Sequence, residues 1–193
     1  MLWEDLMMTY DAFSAAFHTH FTRDPNARIY LGVDERMGEL TDPSIEAADE
    51  TIEAARGLLG ALANIDGAVL DFQQSLDLDI ARLELERQIH NLTYTFNGRR
   101  ALCQLPTAGD DIGDGLFLMF ANDPRPASAR LADITERLEG VPRYLESLKG
   151  RLDTPVGRWV DIEREKLESL PGLLETLEGW AVEVSWGGVE RFR

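Results

Sequence analysis

VLDFQQSLDLDIARLELERQIHNLTYTF, residues 69–96, carries the pattern on which the fold turns. One row of residues reads Phe72, Leu76, Ile80 and Leu83 and continues through Arg87, His90 and Tyr94, always in steps of three or four. A second row reads Leu78, Leu85, Ile89, Leu92 and Phe96. Steps of three and four stack side chains on one face of an α-helix, whereas a strand needs alternation. Two apolar rows predict a helix buried on more than one side, the central member of a bundle. Asn97-Gly98 follows as a turn pair that ends it.

The same period extends outward in both directions. Leu2, Trp3, Leu6, Tyr10, Phe13, Phe17 and Phe21 predict a helix from Leu2 to Phe21. A polar connector follows, HTHFTRDPNARIYLGVDERMGELTDPS at 18–44, broken by Pro25, Gly32 and Gly38. Asp42-Pro43, or Ser44 just after, supplies a side-chain cap and a proline suited to a first turn. The helix it starts runs to about Asn64, with Ile45, Ile52, Leu58, Leu59 and Leu62 apolar, and Asp66-Gly67 ends it. Residues 97–125 lose the period: Pro106, Gly109, Gly113, Gly115 and Pro124 surround a short LFLMF run. Helices resume with ASARLADITERLEG and VPRYLESLKG, where Pro142 is expected to kink or restart the helix. TPVGRWVDIEREKLESL follows, with Thr154 as cap and Pro155 as first residue, and then PGLLETLEGWA. Only WAVEVSW at 180–186 alternates like a strand. The expectation is an all-α protein: an irregular multi-helix bundle with a long central helix at about 69–96 and a Gly/Pro-rich segment at 97–125. Residues 1–193 are expected to form a single helical domain.

Composition narrows the function. Hydrophobic residues make up 44% and charged residues 28%, ordinary for a globular chain. Asp and Glu number 35 against 19 Lys and Arg, a net charge of −16. Such a surface repels phosphate backbones and anionic lipid, which argues against nucleic-acid and membrane partners. Cys103 is the only cysteine, so neither an intrachain disulfide nor a cysteine metal cluster can form. MLWEDLMMTYDAF places Glu4 and Asp5 where a secretory signal carries basic residues, and no stretch is long and apolar enough to span a membrane. The expected location is cytoplasmic.

Candidate chemistry is sparse. Two imidazoles on a helix meet one zinc ion when they are four residues apart, with a glutamate as base. His18 and His20 are two apart, about 200° around a helix, so they point to nearly opposite sides. Glu86 and His90 do share a face, yet a di-iron bundle needs Glu-x-x-His twice, with two further glutamates. His90 is therefore expected as a hydrogen-bonded histidine at the core edge, and Asp77, Asp79, Glu84 and Glu86 as a solvated surface. A small-molecule enzyme built on Glu86 and His90 is the weakest reading. Cys103 has no histidine near it in sequence and reads as a small buried apolar side chain. GDDIGDG at 109–115 is glycine-rich but too acidic to cradle phosphate. Asp110, Asp111 and Asp114 also match an alternating calcium loop poorly. LFLMF, Trp180 and Trp186 are candidates for exposed apolar surface, with core packing as the alternative. No catalytic, cofactor-binding or metal-ligating residue is assigned, and no cofactor is expected in this chain.

An ordered series of landmarks carries more. RDPNARIYLGVDERMGELTDPSIEA is followed by LDLDIARLELERQIHNL, then DGLFLMFANDPRP, RLADITERLEGVPRYLESLKGRLDTP and GRWVDIE. Together these resemble the N-terminal portion of the bacterial domain-of-unknown-function 885 family. That resemblance implies kinship with zinc metallopeptidases, whose members are much longer than this chain and carry their metal site in the later part. The site is marked there by a histidine-glutamate-x-x-proline-glycine-histidine-histidine motif, and further on by glycine-glutamate-glycine-tryptophan-alanine-leucine-tyrosine. No His-Glu pair occurs in this sequence. LEGWAVE at 177–183 echoes the second motif through Glu178, Gly179, Trp180 and Ala181, either by chance or as the remnant of an internal deletion. The resemblance thus implies zinc only for the missing catalytic part. The expected role is a non-catalytic N-terminal helical domain that packs against that part and shapes its cleft. The alternative is an independent helical module that binds a partner or a copy of itself.

Overall fold

The computed structural model describes residues 8–192, and its architecture is all-α apart from one two-stranded hairpin. Contacts divide the chain into two compact units, Met1–Phe21 with Ile45–Ala101 and Thr22–Ser44 with Leu102–Arg193. Among the described residues no helix is long and apolar enough to cross a membrane.

The first unit is built from α1 (Tyr10–Phe21), α3 (Ile45–Leu62) and α4 (Phe72–Thr93). Leu2, Trp3 and Leu6 of the predicted first helix lie outside the described residues. The Asp42 carboxylate accepts from the Ser44 N–H at 2.9 Å just before α3, at the predicted start of that helix. α4 starts at Phe72 rather than Val69 because Asp71 and Gln74 form a reciprocal capping box. The Gln74 N–H donates to Asp71 Oδ1 at 2.8 Å, and the Asp71 N–H to Gln74 Oε1 at 3.1 Å. Beyond α4, Thr95–Phe96 (β1) pairs antiparallel with Arg99–Arg100 (β2). Asn97 and Gly98 both have positive φ there, 51° and 74°, which a two-residue hairpin turn requires. Asn97-Gly98 therefore reverses the chain in a hairpin rather than ending the helix, which has already stopped at Thr93 with Tyr94 extended after it.

The core of this unit comprises Phe13, Ala55, Leu58, Leu62, Leu78, Ala81 and Leu85. The second row on α4 thus packs inward. The first row does not: Phe72, Leu76, Ile80, Leu83 and Tyr94 are all exposed. The expectation of a helix buried on more than one side is corrected here. Among the described residues only α1 and α3 flank α4 within the unit, so one face finds neighbours and the opposite face is exposed.

The second unit contains α2 (Pro25–Leu31), α5 (Gly115–Ala121), α6 (Ala127–Arg151), α7 (Gly157–Glu168) and α8 (Leu170–Glu183). The predicted connector at 18–44 therefore holds a helix. Asp24 caps it by accepting from the Asn26 N–H at 3.0 Å, Pro25 fills its first turn, and Gly32 closes it at φ 66°. Seven residues are two turns, too few to establish a period. Pro142 sits within α6 without ending it. Thr154 has φ 55° and does not cap α7, which begins at Gly157. WAVEVSW forms the end of α8 and the turn after it, not a strand. LFLMF belongs to α5, where Leu116 and Met119 are fully buried in the core and Phe117 is 53% exposed, so the run both packs inward and presents apolar surface. Trp180 is half-buried, edge-on to Phe120 at 5.2 Å with the Arg130 guanidinium 4.6 Å above its ring. Trp186 packs edge-on against Phe192 at 5.8 Å.

Candidate functional site

The segment 109–114 is helical rather than irregular. It forms a π-helical turn running into α5. Such a turn carries one extra residue against an α-helix and re-aims its side chains, a geometry frequent at functional sites. Here it gathers Asp110, Asp111 and Asp114 beside Asn26 of α2. With Tyr30 and Phe117 they line an open depression of about 440 Å³.

The turn is held from three sides. Asp111 Oδ2 accepts from the Thr107 hydroxyl at 2.8 Å and from the Tyr144 hydroxyl on α6. Arg151, at the end of α6, donates to Thr107 Oγ1 at 3.1 Å and to the carbonyls of Leu105 and Pro43 at 2.9 and 3.2 Å. From α7, Glu163 Oε1 accepts from the Gly109 N–H at 2.5 Å, and Lys166 pairs with Asp110. Gly109 must be glycine for this approach, since a Cβ would lie 2.8 Å from Lys166 Cβ. Of the three aspartates, only Asp114 makes no hydrogen bond among the described residues.

Burial pushes the Asp111 carboxyl above its ordinary value, against the opposing pull of the Tyr144 and Thr107 hydroxyls and Arg151. Burial and the adjacent Asp111 push the Tyr144 phenol upward, so it keeps its proton and donates it. Burial likewise raises Glu163, partly offset by the Gly109 N–H. With Asp110 and Asp111 engaged by protein donors, the arrangement positions the turn.

A pH dependence follows from Asp111. Folded Asp111 retains a proton that the unfolded chain releases at its ordinary value of 3.8. Stability therefore falls as pH rises from there through the raised folded value, then levels. Asp111→Asn keeps an acceptor for Tyr144 and removes the titration. In urea unfolding between about pH 4 and pH 7, the parent midpoint should fall further than that of Asp111→Asn. Equal slopes would show that Asp111 does not titrate differently on folding.

The residues singled out by sequence are scattered. His18 is exposed and His20 buried, as their angular separation requires. His20 Nε2 lies 2.6 Å from Gln88 Oε1 on α4, while its Nδ1 is buried without a partner. His90 is exposed and stacks on Tyr94 at 5.9 Å, so the expected core-edge position is corrected. It lies on the same open face of α4 as Leu83. Glu86 is exposed beside it. Cys103 is a free, half-buried thiol rather than a fully buried one. Among the described residues, no three His, Cys, Asp or Glu side chains are grouped to hold a metal ion.

Thr107, Tyr144, Arg151, Glu163 and Lys166 were not expected at this site. Arg151 meets Thr107 across 44 positions and Glu163 meets Gly109 across 54, separations that leave no trace in local periodicity. The one available signal was Asp24-Pro25, a cap and first-turn pair that could have placed Asn26 in the first turn of a helix.

A protein-family model for a bacterial protein of unknown function, DUF885, matches residues 25–184. No curated protein and no solved structure matches the chain. The match takes in α2, the capped start of α3, the π-helical turn and α5–α7, the segments in which the sequence landmarks fall. The chain belongs to the bacterial DUF885 family.

Proposed function

We propose that this chain is a non-catalytic, N-terminal helical part of a zinc-peptidase-like protein, and that it packs against a catalytic half and helps to wall its substrate cleft. The observation that carries this reading is how the acidic depression uses its carboxylates. Asp110 is paired with Lys166, and Asp111 accepts from Tyr144 and Thr107, so these groups fix a wall. Carboxylates already engaged by protein donors are suited to fixing structure more than to taking a substrate proton. The family match supports a shared scaffold, while the peptidase-like half of the reading rests on resemblance.

Zinc analysis and a peptidase assay on the full chain test the proposal. The expected result is no zinc retained after dialysis and no chelator-sensitive hydrolysis of a mixed peptide library in added zinc. Equimolar zinc together with chelator-sensitive hydrolysis would overturn it. The alternative, a helical binding module, is favoured by one separate observation: the open apolar face of α4.

A further inference from the structure

The open face of α4 has a spacing that says what kind of surface fits it. Leu76, Leu83 and His90 are seven residues apart, as are Ile80, Arg87 and Tyr94. Interleaved in steps of four and three, they are the d and a positions of a heptad repeat, the seam along which two helices pack. Phe72, seven residues before Asp79, flanks the first turn of the seam. The apolar members of the seam are open, with Leu76 41%, Ile80 56% and Leu83 65% exposed, and Phe72 beside them is 83% exposed. A contiguous apolar row of this length on an acidic surface marks an interaction site rather than a scatter of single residues. Beside Ile80 the row opens into a depression of about 250 Å³ between α1 and α4, lined by Tyr10, Phe13 and Phe17, where a large apolar side chain could seat.

The flanks of the seam specify charge. On the side next to α1 the carboxylates are occupied. Asp77 accepts from the Tyr10 hydroxyl at 2.7 Å and from Gln73 Nε2 at 2.9 Å, and Glu84 accepts from Arg87 Nε at 2.9 Å. On the other side, Asp79 and Glu86 occupy successive g positions, seven residues apart and exposed, with no ion pair among the described residues. They are placed to meet cations on a helix lying in the seam.

A second copy of this chain does not fit. Parallel pairing would set Asp79 and Glu86 against the Asp77 and Glu84 flank of the other copy, and antiparallel pairing would set them against each other. Either way carboxylates face carboxylates, on chains that each carry −16.

We propose that the α4 seam docks an amphipathic helix of a partner protein, with apolar residues at its own a and d positions and Lys or Arg along the flank facing Asp79 and Glu86. This inference does not depend on the peptidase-like reading, because zinc retention and helix docking are measured separately and either can fail alone.

The test uses the full chain and two fluorescein-labelled helical peptides of about three heptads each, with Leu at a and d in both. One carries Lys at e and g, the other Glu. In fluorescence anisotropy the Lys peptide should bind at least about tenfold more tightly than the Glu peptide, and more weakly as salt rises. Leu83→Asp should weaken the Lys peptide by about tenfold or more, although it makes the protein more negative. Non-specific charge attraction would change in the opposite direction. Asp79→Lys with Glu86→Lys should reverse the preference toward the Glu peptide. Leu83 is exposed, so circular dichroism and the melting temperature of Leu83→Asp should match the parent. Equal binding of the two peptides would overturn the proposal, as would a seam variant that binds like the parent. A dimer in sedimentation that is lost on Leu83→Asp would assign the seam to a second copy and overturn it too.

Discussion

Arg28→Ala is expected to lower the unfolding free energy by about 3–5 kcal/mol, the scale of three main-chain carbonyls losing one charged donor. Arg28 lies on α2, is 2% exposed, and gathers the chain on both sides of that helix. Its Nε donates to the Thr22 carbonyl at 2.6 Å and its Nη2 to the Arg23 carbonyl at 3.3 Å. Its Nη1 donates to the Arg36 carbonyl at 2.6 Å and meets Glu39 at 2.9 Å. Alanine would remove the donor from those part-buried carbonyls, and each one left orphaned costs about 1–3 kcal/mol. Arg28→Lys should recover only part of the loss, because an ammonium is a point donor and cannot fork toward Thr22 and Arg36 together. Glu39→Gln separates the two contributions: Glu39 is 42% exposed, and an ion pair of that kind contributes about 1 kcal/mol at most. Urea unfolding followed by tryptophan fluorescence reads the second unit directly, since Trp159, Trp180 and Trp186 lie there. A loss in Arg28→Ala no larger than in Glu39→Gln would show that the carbonyl bonds do not hold the segment.

Arg28 also marks where sequence reading stops. The long helices were legible because each commits many residues to one period: α3, α4 and α6 fall where the apolar spacing puts them. Asp42, Asp66 and Asn97-Gly98 marked boundaries through local side-chain and backbone geometry, which sequence neighbours determine. The exposure of one row on α4 was not legible, since periodicity reports that a face is apolar and not whether anything covers it. Nor was the polar network of the second unit. Its donors are arginines and its acceptors mostly main-chain carbonyls, and a carbonyl carries no residue identity. The 109–114 segment looked irregular because a π-helical turn spoils the three-and-four spacing by which helices are recognised. The family landmarks did better than the chemistry for a related reason. Asp24-Pro25, Leu31-Gly32 and Leu40-Thr41-Asp42 lie in the short segment that the buried arginines hold.

The second large effect is expected at Arg137, where Arg137→Ala should cost about 3–5 kcal/mol, since three acceptors each lose a donor at about 1–3 kcal/mol. Arg137 is 1% exposed on α6, and burial lowers its pKa to about 10, so it remains a cation at neutral pH. Nothing in its immediate bonding is a carboxylate. Its Nε donates to the Met37 carbonyl at 2.7 Å, its Nη1 to Asn26 Oδ1 at 2.7 Å, and its Nη2 to the Pro25 carbonyl at 3.2 Å. Gly115 makes the approach possible, because a Cβ there would lie 2.6 Å from Asn26 Oδ1 and 2.8 Å from Arg137 Nη1. The guanidinium therefore joins α6 to the start of α2 and to the loop after it, across a hundred or more positions of sequence. Arg137→Met distinguishes bonding from bulk. Methionine fills much of the space but donates nothing, so the carbonyls of Pro25 and Met37 stay orphaned and most of the loss should persist. A double-mutant cycle with Asn26→Ala should give a coupling of about 1–3 kcal/mol, the size for groups sharing one hydrogen-bonded network. If Arg137→Met instead unfolds at the parent's urea midpoint, the guanidinium is only filling volume. The joint between α6 and α2 would then be apolar packing, and α2 should tolerate loss of its polar first turn.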